Sequence, residues 1–206
     1  MRTATLVATA VAVASGYLLG SVPVAVLVGR RHGVDPRTVG DANPGFWNVR
    51  HQLGARRAAP VFAGDVAKGA LAALVGVAVA PAGAGGVGYA AVAAAMVGHA
   101  WPVFARFRGG RSILTWTGGV CVLSPVAGAI AVALFVAVAL AGSFAWGARL
   151  GVLAFPLVQL VVESPHRVAA TGALMSIIGL RFALARRTVP GAGDAGLPST
   201  GRHPPP

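Results

Sequence analysis

The sequence predicts an all-α membrane protein, a polytopic bundle of about seven transmembrane helices, some of them short. Three observations carry that reading. Hydrophobic residues make up 56% of the chain and charged residues only 11%, against roughly 25% charged in an average soluble domain. Mean hydropathy is +0.74. Long apolar runs alternate with short breaks rich in Gly, Pro or Arg. At roughly 20 apolar residues per span, 206 residues hold about five to seven helices and leave no room for a separate soluble domain. Residues 1–187 are therefore expected to form one transmembrane domain.

The first run extends to Val28. Ala12-Val13-Ala14 before Ser15 resembles a signal-peptidase site, but apolar character continues through Tyr17 to Val28, too long for a signal core, so the segment is expected to remain as a span. Residues 29–59 form a polar stretch with Arg30, Arg31, Arg37, Arg50, Arg56 and Arg57 against Asp35 and Asp41. Further apolar runs follow at 61–80, 87–105, 112–123, 126–142, 148–162 and 168–185. The stretch 112–142 reads either as one Pro-kinked helix or as two short ones meeting at Ser124-Pro125. Charge decides between them. With two helices there are seven spans, and the basic loop, the corner at 105–111 and the tail bearing Arg186, Arg187 and Arg202 share one face, as positive-inside sorting requires. The N-terminus is then outside and the C-terminus cytoplasmic. Residues 188–206 are rich in Pro, Gly and Ser and are expected to be a disordered cytoplasmic tail.

A net charge of +12 admits nucleic acid, anionic lipid or topology as its cause. The arginines cluster where topology places them and no nucleic-acid-binding module is recognisable, so nucleic acid is not an expected partner. Cys121 alone forms neither an intramolecular disulfide nor a zinc site.

Three segments hold nearly all the polar residues that topology leaves unexplained: Gly20-Ser21-Val22-Pro23 with the loop from Gly40 to Asn48, then Asp65-Val66-Ala67-Lys68-Gly69, then the corner from Gly98 to Ser112. Helix ends and glycine-rich turns present backbone N–H groups, and guanidinium groups beside them make an anion site for which phosphate is the natural guest. Arg106, Arg108 and Arg111 equally suit lipid-headgroup anchors. Asp65 and Lys68, three residues apart, share a helix face and can simply pair, although an ionisable pair near a bilayer is costly enough to suggest function. His99 suits packing, acid–base work or neutral hydrogen-bond donation. Gly109-Gly110-Arg111-Ser112 lacks the first glycine and the lysine of a nucleotide-binding loop. No histidine is followed five residues later by the aspartate of the soluble glycerol-phosphate acyltransferase dyad.

Gly-Ser-x-Pro at 20–23, Gly-x-x-Asn-Pro-Gly-x-x-Asn at 40–48, Asp-x-x-Lys-Gly at 65–69, and Gly-His-x-x-Pro-Val-Phe at 98–104 followed by Gly109-Gly110-Arg111 together resemble the bacterial acyl-phosphate:glycerol-3-phosphate acyltransferases, the PlsY family. Order and spacing match over residues 16 to about 120. The resemblance implies a seven-helix bundle in the bacterial inner membrane whose cytoplasmic face moves a fatty acyl group from acyl phosphate to the 1-hydroxyl of glycerol 3-phosphate, with neither metal nor coenzyme A. Membrane lipids are the expected surroundings. It implies catalytic positions at Ser21, Asn48 and His99, and substrate or phosphate positions at Asn43, Gly45, Arg50, Lys68, Arg108, Gly109, Gly110 and Arg111.

The chain also departs from that pattern. Gly-Ser-Gly-Asn has become Gly40-Asp41-Ala42-Asn43, Ala-Thr-Asn has become Phe46-Trp47-Asn48, and Gly-Gly-Lys-Gly has become Gly109-Gly110-Arg111-Ser112. A carboxylate at 41 repels phosphate unless an arginine neutralises it, and Arg111 keeps a lysine's charge in a larger, forked group. The late His-x-x-Asn-x-x-Arg pattern has only Pro165-His166-Arg167 as a remnant, with Arg181 isolated in the last run. The rival readings are a diverged paralogue that binds a phosphorylated lipid or metabolite without turnover, and a small transporter, for which no inverted repeat is visible.

Overall fold

A computed structural model describes residues 2–187; the expected disordered tail at 188–206 lies outside the described residues. These form nine α-helices and no strand. The first span is broken: α1 (Arg2–Gly20) and α2 (Val24–Arg31) are separated by Ser21-Val22-Pro23, where Pro23 lacks an N–H and biases Val22 away from helical angles. A short helix, α3 (Phe46–Leu53), follows the basic loop, and Gly54 at φ 85° turns the chain into α4 (Ala55–Val79). Next come α5 (Gly86–Ala100), a 3-10 turn at Val103–Ala105, α6 (Ile113–Leu123), α7 (Pro125–Leu140), α8 (Phe144–Val162) and α9 (Pro165–Arg187). Pro125 and Pro165 stand at first helical positions, where a missing N–H costs nothing.

Five helical segments are long and apolar enough to cross a membrane: Arg2–Arg31, α4, Gly86–Ala105, α8 and Pro165–Ala185; α6 and α7 are shorter apolar helices. Residues 112–142 are two helices, not one. A Cβ on Gly128 would lie 2.9 Å from the Cα of Cys121, whereas seven residues of continuous helix rise about 10 Å, so the chain folds back at Ser124.

Successive passes alternate in direction. Gly16 packs on Ala91 and Gly20 on Ala95, so α1 and α5 run parallel. Lys68 of α4 sits beside Gly20 while Gly76 sits beside Gly88, so α4 runs the other way. Gly119 meets Val92, and Gly88 meets Leu123, which sets α6 against α5. Gly147 and Gly151 lie against Phe135 and Ala131, pairing α8 antiparallel to α7. The corner at 101–112 and the end of α9 therefore lie at the same end as the broken span, with α3 nearby.

The interior is filled by small side chains and a few large ones, Trp116, Phe155 and Met96 among them. Leu6, Leu71, Leu157 and Val161 are exposed. This pattern suits lipid, which gives helices no hydrophobic drive to associate and leaves close backbone packing to hold them. Gly69 shows the tolerance: a Cβ there would collide with the Thr115 carbonyl. Gly69→Ala should destabilise the bundle by about 1–3 kcal/mol, measured as a lowered thermal midpoint in detergent. Gly172→Ala, with nothing near the added methyl, should leave the midpoint unchanged or raise it.

The end of the bundle far from the basic loop has a polar knot of its own. Gln159 donates to Ser124 Oγ (2.8 Å), Ser124 donates to Glu163 (3.0 Å), and Arg167 pairs with Glu163 at 3.1 Å while also donating to the Leu123 carbonyl. It ties the α6–α7 turn to the start of α9 and satisfies carbonyls that the end of α6 leaves open.

Candidate functional site

The break between α1 and α2 shapes the site. A helix that stops leaves carbonyls unpaired; Lys68 Nζ donates to Gly20 O (3.3 Å) and to Val22 O (2.9 Å), which also accepts from Val24 N (3.0 Å). The same ammonium lies 2.8 Å from Asp65 Oδ1 and 3.0 Å from His99 Nδ1. Asp65, Lys68 and His99 are only 2%, 5% and 8% exposed, so the charges have little water and must neutralise one another.

Trp101-Pro102 ends α5 and the chain enters the corner. Arg106, Phe107 and Ser112 adopt left-handed angles (φ 55°, 57° and 62°), which turn the backbone sharply. Gly109 and Gly110 follow because there is no room for a side chain: a Cβ would meet the His99 carbonyl at Gly109, and the His99 ring and Pro44 carbonyl at Gly110. Gly110 N donates to His99 O at 3.1 Å, and buried Ser112 donates to Met96 O at 2.7 Å. Arg181 reaches across from α9. Its guanidinium donates to Gly110 O (3.1 Å) and Gly109 O (3.0 Å) and lies 5.0 Å over the Trp101 ring.

The loop before α3 forms the facing wall. Asn48 Nδ2 is shared among the carbonyls of Pro36 (2.9 Å), Val39 (2.9 Å) and Asn43 (3.1 Å), closing the loop on the helix that follows. Asp41 accepts from the Asn43 N–H and pairs with Arg111 at 3.1 Å. Arg111 also covers the Phe182 ring at 4.7 Å. The neutralising partner that a carboxylate at 41 requires is thus the corner's own arginine.

At the loop's start Asp35 grips Arg37 at 2.6 Å, and that hydrogen-bonded pair lowers the Asp35 carboxyl from 3.8 to about 2. A carboxylate held below its ordinary value stabilises the loop above that value and loses its contribution only as pH falls toward the lowered one. A carbon-13 titration should find its midpoint near 2, and Asp35→Asn should speed tryptic cleavage after Arg37 severalfold at about pH 7.

These walls close on a narrow cleft of about 10 Å³, with Lys68, His99, Arg108, Gly109 and Gly110 facing Val22–Val26 and Pro44. That is room for about one water, and the basic side chains and glycine turn at its edge suit an anionic group. Among the expected site residues, Lys68, His99, Arg108, Gly109 and Gly110 come together here. Asn43 and Gly45 flank Pro44, and Arg111 follows Gly110 at the rim. Ser21 is fully buried and accepts from Val103 N (3.4 Å), and the Asn48 amide is committed to the loop, so both hold walls in place. Arg50 does not reach the cleft; it lies over Trp47 (5.2 Å) and Phe144 (4.9 Å) in an aromatic cluster with Phe46 and Phe62. Arg181 was not among the expected site residues. Its sequence signal is a lone arginine within the apolar run 168–185, a costly residue that marks a specific partner. Among the described residues no group of three or more His, Cys, Asp or Glu is placed to hold a metal ion.

The sequence profile of the glycerol-3-phosphate acyltransferase family matches residues 10–187. A glycerol-3-phosphate acyltransferase of Rubrobacter xylanophilus is 48% identical over 130 residues, 63% of this chain and 64% of that protein. One from Neisseria meningitidis serogroup A is 39% identical over 176 residues, covering 82% of this chain and 88% of its own length. The crystal structure of PlsY, an integral membrane glycerol 3-phosphate acyltransferase, in its glycerol 3-phosphate form superposes with a TM-score of 0.73 at 26% identity, over 87% of this chain and 90% of that one.

Proposed function

We propose, since the chain belongs to the glycerol-3-phosphate acyltransferase family, that it transfers a fatty acyl group from acyl phosphate to the 1-hydroxyl of glycerol 3-phosphate, releasing lysophosphatidate and phosphate. The observation that carries this reading is the cleft in which Lys68, His99 and Arg108 meet the Gly109-Gly110 turn at the arginine-rich end of an apolar bundle. Acyl phosphate is already an activated mixed anhydride. The site's task is to bind phosphate groups, align a hydroxyl oxygen with the acyl carbon and stabilise the charge that develops there. The hydroxyl oxygen bonds to the acyl carbon, the bond from that carbon to the phosphate oxygen breaks, and the hydroxyl proton leaves with the phosphate. Neither metal nor coenzyme A enters this scheme.

Positive-inside sorting places the arginine-rich end in the cytoplasm of a bacterial inner membrane, with the N-terminus outside. Soluble glycerol 3-phosphate then enters from the cytoplasm and the lipid substrate from the bilayer. The purified protein in detergent should release phosphate from acyl phosphate only when glycerol 3-phosphate is present. Absence of release from both the wild type and a variant carrying Asp41→Ser with Arg111→Lys would sink the reading. The Asp41–Arg111 pair favours one rival, a paralogue that binds phosphorylated compounds without turnover. Saturable binding of glycerol 3-phosphate with no phosphate release would select it.

A further inference from the structure

Lys68 has three N–H groups and no acceptor. Its hydrogen bonds run to Gly20 O, Val22 O and His99 Nδ1, at 3.3, 2.9 and 3.0 Å. Asp65 Oδ1 balances the charge from 2.8 Å without a well-aligned hydrogen bond of its own. Four acceptors thus surround three protons, and because an ammonium nitrogen has no lone pair, His99 Nδ1 can meet it at 3.0 Å only as an acceptor. Asp65 offers the ring no competing bond, because Nδ1 lies 3.6 Å from Oδ1, beyond hydrogen-bond range. A proton on Nδ1 would point an N–H at an ammonium. The ring is left neutral with its one proton on Nε2. That atom lies against Gly110, in a ring that lines the cleft, and makes no hydrogen bond among the described residues.

We infer that Lys68 is a positioning residue that locks His99 in the Nε2–H form, so that His99 serves the cleft as a fixed hydrogen-bond donor to a substrate oxyanion and never as the base that deprotonates the hydroxyl. A base needs an open lone pair, and the only one on this ring is occupied by Lys68. A neutral imidazole N–H aimed at an oxygen that gains charge is an effective electrophile. The donor role rests on the acyl-transfer reading; the tautomer rests on the geometry alone.

Nitrogen-15 spectra of the histidine-labelled protein in detergent test the tautomer without any turnover, with the His99 signals assigned by their loss in His99→Gln. The expected result is a protonated-type resonance for Nε2 and an unprotonated-type one for Nδ1. The reverse pattern overturns the inference, even if the wild type transfers acyl groups normally. Two substitutions test the donor role: Gln at 99 keeps an N–H near the Nε2 position, whereas Glu supplies only acceptors. His99→Gln should retain at least about tenfold more turnover than His99→Glu. Equal or higher turnover in His99→Glu means that a base is needed and the donor role is wrong. A wild type that fails to turn over removes the acyl-transfer reading and leaves the spectra to decide the tautomer.

Discussion

Lys68→Met should lower turnover by at least about a hundredfold, the scale of losing one preorganised electrostatic group in a dry site. It should also lower the thermal midpoint, since removing one partner of a buried ion pair costs about 3–5 kcal/mol. The substitution leaves Asp65 charged at 2% exposure, frees the Gly20 and Val22 carbonyls, and releases His99 Nδ1 to take either tautomer. The double variant Lys68→Met with Asp65→Asn separates these effects. Both charges are then gone, so much of the midpoint should return while turnover stays low, and the mutant cycle should show strong coupling in stability. Recovery of turnover together with stability would show that Lys68 is there only to neutralise Asp65.

Arg111→Ala should reduce kcat/KM by about a hundredfold with little loss of stability, because the Asp41–Arg111 pair is half open to solvent and such pairs contribute about 0–1 kcal/mol. Its side chains are 28% and 47% exposed. On the acyl-transfer reading proposed above, Arg111 would hold a substrate phosphate, and the Asp41 carboxylate paired with it at 3.1 Å would compete for the guanidinium. Asp41→Asn should accordingly lower KM for the phosphorylated substrates severalfold and leave kcat nearly unchanged, measured by steady-state phosphate release. If Asp41→Asn raised KM instead, the carboxylate would be orienting Arg111 rather than competing for it.

The helical bundle and the grouping of the candidate site residues were legible in the sequence because both depend on local signals. Hydropathy marks the passes, Ser124-Pro125 marks the fold-back, and Asp65, Lys68, His99 and Gly109-Gly110 each sit in a short motif whose spacing fixes a shared face or a tight turn. Roles were less legible than places. Asn48 and Ser21 are expected as catalytic positions, and no local spacing announces the contacts that fix them: three carbonyls share the Asn48 amide, and Ser21 accepts from Val103 N. Arg50 read as a phosphate ligand, but Trp47 and Phe144 offer its guanidinium two ring faces. Arg181 lies 71 residues beyond the Gly110 carbonyl it serves. No spacing rule reports a partner that only folding brings near.

The last helix is anchored at both ends. Near its start Arg167 is pinned to Glu163 and to the carbonyl that ends α6, and about four turns later Arg181 holds the glycine turn. Every motif of the cleft is therefore synthesised before the residue that secures its wall. A ribosome that has delivered residues 1–112 has supplied the chemistry without the brace. The wall of the cleft thus gains its last brace only when the final span is in place.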